Sequence, residues 1–262
     1  RMMLSTLALS TSHDALRLII VDPKSEDFLP FKRLPHCEMF AGRREITQAI
    51  AHARAILAER QDTEGRFNGP RVVLFLDELS QVQDPAAIRQ LNDLMAVGRS
   101  KKINVILATQ YPTKDVIGKV DLSNVGVRFV GQVATNKEAY VASGRGETFA
   151  HLLPGKGAFL RVEGADVTRL QAYWLDDNGT EAMVDAAVTR WGKRAAIPVY
   201  HRENDAILAE NWQKSGGTGG IPASVPVQAV QVVRSVPVTQ AASWPIADRP
   251  LTATEAAAVR RM

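Results

Sequence analysis

Three short apolar runs, each ending abruptly in polar residues, constrain this chain more than anything else in its sequence. They are residues 17–21 (RLIIV) before Asp22, Pro23 and Lys24, residues 72–76 (VVLFL) before Asp77 and Glu78, and residues 104–108 (NVILA) before Thr109 and Gln110. A strand apolar on both alternating faces has to be buried on both, which a sheet with one wet face does not offer. Between the runs, apolar residues return at helical spacing. Ile46, Ala49, Ile50, Ala53, Ile56 and Leu57 form one such face, within a helix expected over 44–61. Ile88, Leu91, Leu94 and Met95 form the next, behind Asp84 as N-cap and Pro85 at the first helical position. Further strands are expected over 125–133, 158–162 and 168–175, with Gly155-Lys156-Gly157 as a turn. A short helix is expected from Lys137, and a longer one over 180–191 with Met183, Val184, Ala187, Val188 and Trp191 on one side. The alternation predicts an α/β domain with a mainly parallel sheet and helices on both faces.

The 262 residues are 45% hydrophobic and 23% charged, which suits one large soluble domain with or without a small appendage. No apolar run approaches the ~18–20 residues needed to cross a bilayer, and the start does not resemble a signal peptide. A single cysteine, Cys37, excludes an internal disulfide framework and fits a reducing compartment, so a cytoplasmic setting is expected. The net charge of +4 permits an acidic partner such as nucleic acid, but composition alone favours the plainer reading of solubility.

Both ends read as cut. Arg1-Met2-Met3-Leu4 looks like a helix already under way, and Thr252 with Glu255 forms a capping box for an Ala-rich helix that stops at Met262. The sequence is therefore expected to be an internal stretch of a longer polypeptide. Residues 1–192 are expected to form the core and 193–214 its C-terminal extension. Residues 215–250, with four glycines, five prolines and three charges, read as a flexible linker. Residues 251–262 read as the start of a further helical domain, for which a helix-turn-helix is one candidate.

The run ending in Asp77 and Glu78 has the form of a Walker B element. A carboxylate at the C-terminal tip of a parallel strand sits where open α/β sheets bind ligands. Asp77 can there hold the water shell of a nucleotide-bound Mg²⁺, and Glu78 can orient and polarise an attacking water. The competing reading is that acidic residues follow strands as ordinary helix caps. Thr109 and Gln110 at the neighbouring tip weaken that alternative, because a glutamine there can sense the γ-phosphate or the water by hydrogen bonding.

Taken together, these residues resemble the motor domain of FtsK/SpoIIIE-type DNA translocases. The resemblance rests on Asp22-Pro23-Lys24, Pro35-His36, residues 72–78, Arg99, residues 103–110, Arg128, Gln132, Lys137 and Gly155-Lys156-Gly157, and it covers about residues 1–192. It implies a RecA-like P-loop NTPase core that binds ATP and Mg²⁺, assembles as a homo-hexamer around double-stranded DNA, and couples hydrolysis to DNA movement. The family's GxxGxGK[ST] loop is expected just before residue 1, with residues 2–10 as the helix it opens. Without that loop the stretch alone is expected to be inactive.

The resemblance also assigns roles. Asp77, Glu78, Thr109 and Gln110 match nucleotide-site positions, with Asp77 holding Mg²⁺ through water. Arg99 matches an arginine finger acting on a neighbouring subunit, with Arg128 as second choice; alternatively Arg99, Lys101 and Lys102 merely complement a helix end. Lys137 matches a pore-facing basic position. Tyr111 and Val141 stand where the pattern has basic residues, and Lys114 and Lys119 are candidates to compensate, with a solvated surface charge equally open for each lysine. An inner-membrane anchor outside this stretch is compatible with the family. Rival readings are a conjugative coupling or HerA-like DNA-pumping motor of the same fold, and a DNA-binding regulator or adaptor with an ATPase-like scaffold. His36 and Cys37 lack metal-ligand spacing, and residues 176–179 (DDNG) read as a turn and helix cap rather than a calcium loop.

Overall fold

The computed structural model describes residues 1–61 and 67–192. The expected extension, linker and terminal helix, all beyond residue 192, lie outside the described residues. The main sheet has four parallel strands in the order β2 (Cys37–Ala41), β1 (Leu16–Asp22), β3 (Arg71–Leu76) and β4 (Ile103–Leu107). The apolar runs occupy β1, β3 and β4 as anticipated.

Alternate side chains of the central strands feed two cores. Ile19, Val21, Val72, Leu74 and Leu76 pack against α2 (Ile46–Gln61) and α3 (Pro85–Val97) through Ile50, Leu57, Leu91 and Leu94. Leu18, Ile20, Val73 and Phe75 pack on the other face, with Leu4 and Ala8 of α1 (Met2–Ser10) and Val184 and Ala187 of α6 (Asp177–Trp191). Helices therefore cover both faces, as a parallel sheet requires.

Local chemistry starts the helices where expected. The Asp84 carboxylate accepts from Ala86 N at 2.8 Å ahead of Pro85, and Asp176 caps α6 by accepting from Gly179 N at 2.7 Å. Thr135 and Glu138 form a reciprocal capping box that opens α5 (Asn136–Ser143). A four-residue helix, α4 (Lys114–Ile117), precedes it.

Two features differ from the sequence expectation. β2 had no counterpart in it. The later strands form a separate antiparallel sheet, β5 (Arg128–Val130), β6 (Ala158–Glu163) and β7 (Asp166–Gln171), over its own small core of Val130, Leu160, Val162 and neighbours. β5 is shorter than the 125–133 expected, and β7 ends before residues 172–175. The Gly155-Lys156-Gly157 turn has positive φ at all three residues.

Candidate nucleotide site

Strand register brings the polar tips together. Val21 lies opposite Leu76 and Leu76 opposite Leu107, so Asp22, Asp77 and residues 108–110 leave the sheet at one edge. That edge is the carboxyl end of parallel strands, where such sheets bind ligands.

Glu78 is the hub of this edge. It is buried, with φ of 63°, a left-handed conformation that costs a residue with a side chain roughly 1–3 kcal/mol. Its Oε1 accepts from Thr109 Oγ1 at 2.8 Å and from Ser80 N at 3.4 Å, and its Oε2 accepts from Gln110 N at 3.0 Å. Burial pushes the carboxyl up, but the hydrogen bonds from Gln110, Ser80 and Thr109 outweigh it and hold the group below its ordinary value. Glu78 is thus ionised and fixed, suited to orienting a water by accepting its proton in a hydrogen bond. It is Gln110's main-chain N–H that makes this contact, while the residue itself is exposed.

Asp77 behaves differently. It is half-buried, and among the described residues its carboxylate makes no hydrogen bond or ion pair. Burial raises its pKa first, followed by the nearby Asp22 and Asp27 carboxylates and Glu78, with Lys24 opposing. A cation at this edge would relieve that repulsion. A free carboxylate oxygen is also the hard ligand Mg²⁺ takes while keeping several waters. The residues present therefore fit a Mg²⁺–nucleotide held through Asp77.

One organiser of the site was not singled out from sequence. Asp22 is fully buried, and its carboxylate accepts from the N–H groups of Lys24 and Ser25 at 3.1 and 3.0 Å and of Glu26 and Phe28 at 3.1 Å each. Phe28 packs its ring 4.9 Å from that of Phe75, and Arg1 pairs with Asp27 at 2.7 Å and with Asp177. Loop 23–28 is thereby fixed over the strand tips. The available signal was an Asp at a strand end before Pro23, since short carboxylates there gather main-chain N–H groups.

The remaining candidates lie elsewhere. Arg99 is exposed in the 3₁₀ turn Gly98–Lys101 at the start of β4, a strand length of roughly 15 Å from the Gln110 end. It is not brought to Glu78 within one chain. Arg128 opens β5, and its guanidinium lies over Gly144, where an added Cβ would meet Nη1 at 2.3 Å. Gln132 similarly packs on Gly155, its Oε1 2.9 Å from where a Cβ would stand. Lys137 and Lys114 are exposed in the first turns of α5 and α4. Lys119 is half-buried and its Nζ donates to Val82 O at 3.0 Å, so that ammonium is tied to the fold.

No protein-family model matches the chain. A curated protein of Leptospira interrogans, DNA translocase FtsK, is 26% identical over 232 residues, spanning 74% of this chain and 23% of that protein. This chain spans between 23% and 30% of the length of the curated FtsK relatives in Leptospira and Staphylococcus epidermidis. Among solved structures, ATPases 2 and 3 of Thermomonospora curvata EccC, in complex with a signal sequence peptide, superpose with a TM-score of 0.61. The identity is 18%, over 78% of this chain and 42% of that one. The pCW3 conjugation coupling protein TcpA, a monomer form with ATPγS, gives 0.56 at 21% identity over 71% of this chain and 59% of that one. In sequence the chain is similar to proteins named DNA translocase FtsK, and it shares its fold with the ATPase domains of EccC and with TcpA.

Proposed function

We propose that residues 1–192 are the core of an ATP-driven motor that moves double-stranded DNA, acting as a homo-hexamer. The observation carrying this reading is the Glu78 carboxylate, held ionised between the β3 tip and the Thr109–Gln110 tip, beside a free Asp77. Asp77 holds the hydrated Mg²⁺ of ATP, which neutralises phosphate charge when bound, and Glu78 orients the attacking water. Arg99 lies too far from its own Glu78 to act on that site, so its charge serves a neighbouring subunit's phosphate. Arg128 is the second choice for that role. Lys137, Lys114 and Lys119 are proposed to favour the DNA backbone, with Lys119 the weakest of the three because its ammonium is engaged.

The test uses the full-length protein carrying a phosphate-binding loop. Glu78→Gln is expected to keep ATP binding while slowing hydrolysis by roughly 10²–10⁴-fold. Asp77→Asn is expected also to weaken Mg²⁺-dependent binding. Arg99→Ala is expected to suppress turnover, and mixing it with Glu78→Gln subunits is expected to restore some, because an intact Glu78 then meets an intact Arg99 from the next subunit. Mixed rings no faster than either mutant would remove the trans role from Arg99 and pass it to Arg128. DNA should stimulate hydrolysis with a steep salt dependence and no preferred site; a preferred short site would favour the regulator reading. The fold shared with TcpA makes a conjugative coupling motor the second reading.

A further inference from the structure

Arg60 lies in the last turn of α2 and is 4% exposed, an unusual place for a guanidinium. Its hydrogen bonds go to main-chain carbonyls: Nη1 donates to Lys101 O at 2.8 Å and to Lys102 O at 3.3 Å, and Nη2 donates to Pro70 O at 2.9 Å. The Phe67 ring covers it, with the centroid 4.2 Å from Cζ. The ring folds back over Gly69, where an added Cβ would lie 2.3 Å from it and force it to move. Burial pulls Arg60 down to about 10, which still leaves it charged at neutral pH.

Two of these hydrogen bonds fall on one short turn, and the third ties it to Pro70 ahead of β3. Residues 98–102 run from the end of α3 into β4, and Lys102 closes them in a left-handed conformation at φ 56°. Gly98 packs tightly at the other end, where a Cβ would stand 3.1 Å from Ile103 O. Arg99 and Ser100 are the exposed residues between these ends. An arginine fork reaches several carbonyls at once, whereas a lysine's single ammonium cannot span the same set.

We propose that Arg60 is a positioning residue for Arg99, a buried carbonyl clamp that holds the 98–102 turn so that Arg99 is presented outward in one geometry. The inference rests on the reading of Arg99 as the group that acts on a neighbour's nucleotide. A finger has to arrive within a fraction of an ångström of its target, so loosening the turn removes turnover even with Arg99 present.

Two measurements test it. On the present chain, amide hydrogen exchange over 98–103 in Arg60→Met is expected to quicken at least tenfold, while β1 and β3 amides keep their protection; Arg60→Lys falls between. Unchanged exchange at 98–103 overturns the clamp, and uniform loss of protection makes Arg60 a general stability residue and overturns it too. In the full-length protein, Arg60→Met is expected to lower kcat with nucleotide affinity unchanged, and Arg60→Met with Arg99→Ala is expected to be no slower than Arg99→Ala alone. If Arg99→Ala suppresses turnover but the double variant falls further, or Arg60→Met turns over normally, this inference fails and the reading of Arg99 stands. If Arg99→Ala itself turns over normally, that reading fails and the inference with it.

Discussion

Buried charge in this protein is settled residue by residue. Glu38 on β2 accepts from Arg17 Nε at 3.0 Å and meets His52 Nε2 at 2.7 Å, all three side chains being largely buried. Burial alone would raise the Glu38 carboxyl, but His52 and Arg17 reverse this and bring it from 4.5 to about 2. A carboxyl depressed in the folded state stabilises the fold above its ordinary pKa, and the contribution disappears as pH falls through the folded value. The fold is therefore expected to lose on the order of 3 kcal/mol from this group between pH 4.5 and about 2. Thermal midpoints of wild type and Glu38→Gln across that window check it. The variant starts lower, because Arg17 and His52 lose their partner, but its curve should be flatter there.

Among the elements, α3 depends on its N-cap. Replacing Asp84 by Ala leaves the N–H of Ala86 without its acceptor and is expected to cost about 1 kcal/mol, readable as a shift in the denaturation midpoint. Asp84 and Pro85 were also legible in sequence, as were β1, β3 and β4, because capping and two-sided burial leave local marks. β2 was not. Cys37–Ala41 is a short edge strand whose buried Cys37 and Phe40 flank the slightly more exposed Glu38 and Met39, so neither alternation nor an apolar run marks it. The separate sheet was equally hidden. Strand signals over 125–133, 158–162 and 168–175 were visible, but antiparallel pairing depends on partners distant in sequence. At the site, the Asp77–Glu78 and Thr109–Gln110 tips were readable from two apolar runs. The role of Gln110's main-chain N–H, and the gathering of four amides by Asp22, were not, since only the folded loop decides which backbone groups point inward.

At the scale of the molecule, the described residues form three apolar clusters that divide the work unequally. Two sandwich the main sheet, and the third lies under β5–β7 with far fewer members. Leu74→Ala, which empties a fully buried site in the main sheet, is expected to cost roughly 2–5 kcal/mol and lower protection throughout. Leu160→Ala should instead raise hydrogen exchange mainly in the smaller sheet, because few apolar contacts hold it. A uniform effect from both would show the clusters to be one cooperative unit.

The pairing of α1 with α6 has a consequence in time. Trp191 Nε1 donates to Ala8 O at 2.9 Å, and Val184 and Ala187 complete the cluster begun by Leu4 and Ala8. During synthesis, one face of the parallel sheet must wait for almost the whole domain to leave the ribosome before its cover arrives. Over that interval Leu18, Ile20, Val73 and Phe75 stay open to mispairing, and the nascent chain is most in need of a chaperone shortly before α6 emerges.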